Sequence, residues 1–345
     1  DVASSRGLGD VYKRQPQNHL KMTSNQNYNK YKNYKPPFPF NKPYSTTVLS
    51  KLRRVLKFRV IQALNAKTIR RVIAVDEFKM TSYTNLSKGS TKNLYLLPGY
   101  LGNNNSSYML SALLYFANKG WNIHRINPVD HGDTLLMNKK FFNALHHEIT
   151  GKAIEKVLND HAGDHYLMGF SFGGNFALRI AMLDTGVKFK RVVAISPMID
   201  HENSLKQLPL FFQKYYNKKW VRTFKAKETM WEDQDFKKYY KMRDLKEMMK
   251  EWLPFVLPEY DFNDLNDFFK MYKISVDKIQ QLKTQASIIM SADDPVVPIE
   301  SAKHLQKINN INFLQTKFGG HNSFTENFSF DDYSMKIAAS ELGEE

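Results

Sequence analysis

HYLMGFSFGGNFALRIAML, residues 165–183, holds one serine, Ser171, with a glycine two positions away on each side. Gly and Ser are common turn residues, so G-x-S-x-G by itself says little. Its context says more. An apolar run of strand character precedes the serine, and apolar residues at helical spacing follow it. A strand that turns sharply into a helix holds the serine backbone in a strained conformation, and side chains two residues away on either side would collide. Gly169 and Gly173 are therefore expected for steric reasons, and the helix N-terminus is expected to point at the Ser171 hydroxyl.

The same alternation continues outward. Strands are expected at NLYLLPG (93–99), WNIHRIN (121–127), RVVAISP (191–197), ASIIMSA (286–292) and NFLQTKF (312–318), in addition to HYLMGFS (165–171). Helical spacing appears in SYMLSALLYFANKG, FFNALHHEITGKAIEKVLND, GGNFALRIAMLDTG and IESAKHLQKINN. Apolar strands alternating with amphipathic helices predict an α/β fold, with a mostly parallel central sheet flanked by helices on both faces. Between Ile199 and Gln285 no strand pattern occurs, which predicts a helical cap insertion at about 200–280. Its aromatics (Phe211, Phe212, Tyr215, Tyr216, Trp220, Trp231, Trp252, Phe255) suit an apolar pocket or the cap's own core.

A serine hydroxyl needs a base, and the base needs an orienting acid. In this topology the acid follows a later strand and a histidine comes near the end. SADDPVVP follows the strand ASIIMS, with Asp294 at the acid position and Asp293 as its competitor. GGHNSF follows the last strand, and His321 is the one of ten histidines placed there. Acyl transfer also needs two donors for the developing oxyanion. The backbone N–H of Phe172 is one candidate. The N–H of Tyr100 is the other, in PGYLGNNNSSY (98–108), where Gly99 permits close approach. No His pair has ligand spacing beside a carboxylate, so no metal site is expected.

These motifs, in this order, resemble the α/β-hydrolase superfamily (AB hydrolase-1 type domain), and within it the YheT-like esterase group, over roughly residues 34–339. NPVDHGDT (127–134) resembles a sheet-edge loop of the superfamily, with Thr134 where serine is usual. The oxyanion loop begins Pro98-Gly99 where His-Gly is usual. The resemblance implies the α/β-hydrolase fold and a carboxylic ester hydrolase acting on short- to medium-chain acyl esters or glycerolipids in lipid metabolism, without cofactor. It carries the triad onto Ser171, Asp294 and His321. Two alternatives keep the same scaffold: an acyltransferase using the same triad, and a non-catalytic ligand-binding protein.

Composition sets the outer bounds. The chain has 345 residues, 42% of them hydrophobic, which is a globular level. It lacks cysteine, so disulfides and thiolate chemistry are excluded, and a cytoplasmic setting is expected. The formal net charge is +16, but the lysines are scattered through Asn- and Tyr-rich sequence rather than forming a nucleic-acid arm. No nucleic acid is expected; the expected partner is a small ester substrate. The basic stretch LSKLRRVLKFRVIQAL (49–64) is expected to pack on the domain, and is also compatible with peripheral contact with an anionic membrane. Residues 1–21 read as an adapter-like leader foreign to the fold, 22–48 as an extended Pro-, Asn- and Tyr-rich lead-in, and 49–345 as the α/β domain with its cap.

Overall fold

The computed structural model describes residue 31 and residues 34–344 apart from 185–187, 232, 261 and 263. The leader at 1–21 lies outside the described residues. Eight strands form one sheet in the order β1-β2-β4-β3-β5-β6-β7-β8. They are β1 (Ile69–Val75), β2 (Phe78–Asn85), β3 (Lys92–Leu97), β4 (Asn122–Asn127), β5 (Asp164–Phe170), β6 (Arg191–Ile195), β7 (Ala286–Ser291) and β8 (Ile311–Thr316). From β4 to β8 all neighbours are parallel, while β1–β2 and β2–β4 are antiparallel.

Side-chain alternation along the central strands builds two cores. Leu94, Leu96, Tyr166, Met168, Val193 and Ile195 face one layer, formed by the helices α3 (Ser107–Asn118) and α10 (Tyr333–Glu341). Tyr95, Leu97, Leu167, Val192 and Ala194 face the other, formed by α4 (His147–Leu158) and α5 (Phe172–Met182). With both faces covered, β3, β5, β6 and β7 read as largely apolar runs. By contrast, β4 buries Asn122, His124, Arg125 and Asn127 beside its two isoleucines, and β8 is a half-buried edge strand.

The hairpin β1–β2 was not expected, and its chemistry explains why. Only Ile73 and Val75 of β1 are buried, because it is an edge strand. β2 buries Thr81, Ser82, Thr84 and Asn85, so no apolar alternation marks it. Its two-residue loop is Asp76-Glu77, with Asp76 at φ +50°, and lacks the glycine that usually signals such a turn.

Three helical expectations are corrected. In the stretch 141–160 the helix starts only at His147, because the Phe142 N–H goes to Asp130 Oδ2 and Asn143 Oδ1 captures the Leu145 N–H. IESAKHLQKINN forms two short 3₁₀ turns that break at Ala302. The lead-in, expected to be extended through residue 48, becomes the helix α1 at Pro43–Leu49. Its proline occupies the first turn, where no N–H is required.

The cap emerges between β6 and β7 as α6 (His201–Gln207), α7 (Leu210–Lys227), α8 (Leu245–Val256) and α9 (Leu265–Tyr272) with short connecting turns. Trp220 and Trp252 are buried against each other, with ring centroids 4.6 Å apart, and Phe224 stacks on Tyr239. A buried ion pair ties the cap to the sheet: Lys227 Nζ of α7 lies 2.5 Å from Asp130 Oδ1, and neither side chain is exposed. Lys227 also donates to the Lys140 carbonyl at 2.7 Å.

Candidate active site

Ser171 sits between β5 and α5 with φ +54° and ψ −116°, a conformation that non-glycine residues rarely adopt. Close approach on both sides maintains it. A Cβ on Gly169 would lie 2.0 Å from the Gly173 carbonyl oxygen, and one on Gly173 would lie 2.4 Å from the carbonyls of Leu97 and Pro98. The Ser171 N–H donates to the Ile195 carbonyl at 2.8 Å, and its own carbonyl accepts from Gly174, Asn175 and Met198. The turn is thus tied to the end of β6, to the segment after it and to the start of α5.

The histidine arrives from the loop after β8. His321 Nε2 is 2.9 Å from Ser171 Oγ, and His321 Nδ1 is 2.9 Å and 3.1 Å from the two carboxylate oxygens of Asp294. A ring nitrogen facing a carboxylate carries the proton, which leaves Nε2 to accept from the serine hydroxyl. The Asp294 side chain is fully buried, and its Oδ1 also accepts the N–H groups of Val296 and Val297 at 2.8 and 2.9 Å. Asp293 has a different partner: its Oδ1 accepts the Gly320 N–H at 2.9 Å. Burial pushes the Asp293 carboxyl up from its ordinary pKa. The two adjacent acids therefore divide the work, one on the imidazole and one on the loop that carries it.

The lead-in and the basic stretch after it support the same loop, which their composition did not disclose. Thr47 of α1 accepts the His321 N–H at 3.0 Å through its hydroxyl. Arg53, buried, pairs with Asp332 at 3.0 Å and donates to the carbonyls of Phe330 and Ser323.

Gly99 and Tyr100 lie against the nucleophile; a Cβ on Gly99 would fall 3.2 Å from Ser171 Cβ. Neither the Tyr100 N–H nor the Phe172 N–H is taken by a backbone carbonyl among the described residues. The loop around Tyr100 is held on three sides. Tyr108 Oη accepts the Gly99 N–H at 3.0 Å, and His131 Nε2 accepts the Leu101 N–H at 3.1 Å. From the cap, Lys219 Nζ donates to the Leu101 carbonyl at 2.8 Å and the Tyr100 carbonyl at 3.4 Å. His131 is held neutral by burial, which brings its pKa down to about 4, and its Nδ1 donates to the Val129 carbonyl. Burial, with Lys51 and Arg222 nearby, lowers Lys219 to about 8. His131 belongs to the NPVDHGDT motif, so a sequence signal existed for it; Lys219 sits in the cap without one. In the same motif Asp133 braces the sheet edge, accepting from Thr81, Tyr83 and Arg70.

Ser171 opens into two spaces. Beneath the cap lies a narrow apolar slot of about 30 Å³, lined among others by Met198, Leu205, Leu208, Leu245 and Met249. Toward solvent lies a wider cleft of about 110 Å³, bordered by Thr47, Lys51, Phe211, Phe212, Tyr215 and Lys219 and reaching His321. Of the cap aromatics, Phe211, Phe212, Tyr215 and Tyr216 line these spaces. Trp220 and Trp252 fill the cap interior, and Trp231 and Phe255 pack around Phe141. No group of His, Cys, Asp and Glu among the described residues could hold a metal ion.

Residues 94–316 match the family Hydrolase_4, described as serine aminopeptidase, S33. The chain belongs to that family of α/β hydrolases. The matched span runs from β3 to the end of β8, so it takes in Ser171 and Asp294 together with the whole cap. Protein abhd-3.2 of Caenorhabditis elegans is 24% identical over 250 residues, which cover 69% of this chain and 65% of that protein. The chain thus spans about 65% of the length of the curated relative it matches. Among solved structures, the esterase Pf2001 of Pyrococcus furiosus superposes with a TM-score of 0.56 at 17% identity, covering 82% of this chain and 92% of that one. Est1E of Butyrivibrio proteoclasticus, solved with ferulic acid bound, gives 0.50 at 15% identity, covering 79% and 96%. At these identities the likeness is one of fold.

Proposed function

We propose that this hydrolase cleaves carboxylic esters with a short- to medium-length apolar acyl group through an acyl-enzyme on Ser171. The observation that carries this reading is the continuous chain Ser171 Oγ, His321 Nε2, His321 Nδ1, Asp294, with both links at 2.9 Å, at the junction of an apolar slot and an open cleft. In this reading the start of the acyl chain enters the slot, a longer chain needs its Met and Leu side chains to move aside, and the alcohol portion faces the cleft.

Ser171 Oγ attacks the ester carbonyl as His321 Nε2 takes its proton. Asp294 orients the imidazole and stabilises its cationic form. The new C–O bond places negative charge on the former carbonyl oxygen, which the Tyr100 and Phe172 N–H groups receive at the start of α5. Collapse expels the alcohol, protonated by His321. A water activated by the same nitrogen then hydrolyses the acyl-serine and returns the proton to Oγ.

The family's description raises peptide substrates, and the lining residues argue against them. An aminopeptidase must recognise a free ammonium group, which calls for a carboxylate near the nucleophile. None lines either space, whereas Lys51 and Lys219 border the cleft. The test is a panel of 4-nitrophenyl esters of graded acyl length beside aminoacyl 4-nitroanilides. The expected result is turnover of esters with a preference that falls off for long chains, and none of the anilides. Cleavage of anilides in preference to esters would overturn the reading.

A further inference from the structure

Residues 43–66 run along the surface as α1, a 3₁₀ turn at Ser50–Leu52, a single turn at Arg53–Leu56 and the helix α2 at Phe58–Ala66. Their polarity is inverted for a surface segment. The stripe against the domain is Thr46, Ser50, Arg53 and Ile61, mostly polar and anchored through the buried Arg53–Asp332 pair. The outward stripe is apolar: Val48, Leu52, Val55, Leu56, Phe58 and Val60 are 39–69% exposed. The expected packing on the domain therefore exists, but through the polar side.

Single exposed apolar residues are ordinary; six exposed within residues 48–60 make a cluster of the kind that marks a binding surface. This face reaches the catalytic cleft. Val48 and Lys51 border the cleft opposite Phe211 and Tyr215, and Lys51 Nζ lies 4.8 Å from the centre of the Tyr215 ring. Leu210 and Phe211 extend the exposed apolar area onto the cap. Three exposed cations, Lys51, Arg54 and Arg59, interleave with the apolar residues. None of the three has a carboxylate within ion-pair distance among the described residues.

We infer that this face docks onto an anionic lipid surface. Apolar side chains entering the headgroup region while interleaved Lys and Arg meet lipid phosphates or carboxylates is the arrangement that such surfaces bind. A second copy is a poorer occupant, since it would set the same three cations against themselves. Docking turns the cleft mouth toward the lipid, so that an ester in the membrane reaches Ser171 without crossing water. That consequence rests on the hydrolase reading; the docking itself does not.

The test is co-sedimentation of the full chain with vesicles of phosphatidylcholine alone and of phosphatidylcholine with phosphatidylserine, at low and high salt. Binding is expected to the anionic vesicles and to weaken with salt. Val55→Glu with Leu56→Glu, and separately Arg54→Glu with Arg59→Glu, should each weaken it about tenfold or more. All four positions are exposed and lie away from Ser171, so labelling by a fluorophosphonate and hydrolysis of a water-soluble ester should be unchanged. Equal binding to both vesicle types, no binding to either, or wild-type binding by the variants would overturn the inference. So would a dimer in light scattering that Val55→Glu with Leu56→Glu dissolves while vesicle binding is absent. If docking holds but no ester is cleaved, the hydrolase reading fails and this one stands.

Discussion

Asp294 Oδ2 and His321 Nδ1 lie 2.9 Å apart, while the neighbouring Asp293 reaches the Gly320 N–H instead. One residue of sequence separates an acid on the imidazole from an acid on its supporting loop. Asp294→Asn removes the charge that favours the imidazolium and leaves an amide where the Nδ1 proton must go. It should lower kcat by about 10⁴. Asp293→Asn keeps an oxygen for Gly320 and should cost less than about tenfold. Steady-state kinetics on one soluble ester decide it, and the reverse ranking would move the orienting role to Asp293.

In the proposed mechanism the cap acts through Lys219. Its ammonium holds the Tyr100 and Leu101 carbonyls, which fixes the loop whose Tyr100 N–H is proposed to meet the oxyanion. Loss of an oxyanion donor outright costs about 10²–10³ in rate, and a loosened one costs less. Lys219→Met should therefore lower kcat by about tenfold with KM little changed, and Lys219→Arg should recover part of the loss. A rise in KM at constant kcat would instead make Lys219 a substrate contact.

How much of this was legible in the chain follows from burial. The strands before Ser171 and Asp294 are covered on both faces, so their apolar runs and the turns after them could be read directly. In contrast β8, before His321, is a half-buried edge strand, read from Phe313 and Leu314 and from the two glycines after it. β1 and β2 were not legible, since one is an edge strand and the other fills its pairing with Thr, Ser and Asn. The three site residues followed from chain order. Their supports did not: Thr47 and Lys219 act through backbone groups distant in sequence, and contacts of that kind leave no periodic trace. The segment 49–64 shows the same limit, because its helical spacing was plain while the face it would bury was not.

Buried histidines make the fold sensitive to acid. Burial lowers His124, His146 and His147 to about 3, and His131 and His201 to about 4. An unfolded histidine takes up its proton near pH 6.5, so between about pH 6.5 and 4 the unfolded state binds more protons than the folded one. Stability then rises with pH across that window and is lost on acidification, by up to about 1.4 kcal/mol per pH unit for each fully differing histidine. Three carboxyls raised by burial oppose this, Asp130 to about 6 and Asp293 and Asp332 in the same direction, against five histidines. Thermal unfolding followed from pH 7 to pH 5 should show a steadily falling Tm. A flat profile would mean that these imidazoles accept protons inside the fold.

The central claim is that Ser171 is the nucleophile of a serine hydrolase, and covalent labelling tests it most directly. A fluorophosphonate probe should label the wild-type chain, with the adduct on the peptide that contains Ser171, and should leave a folded Ser171→Ala variant unlabelled. Equal labelling of both proteins, or an adduct on another residue, would contradict the account.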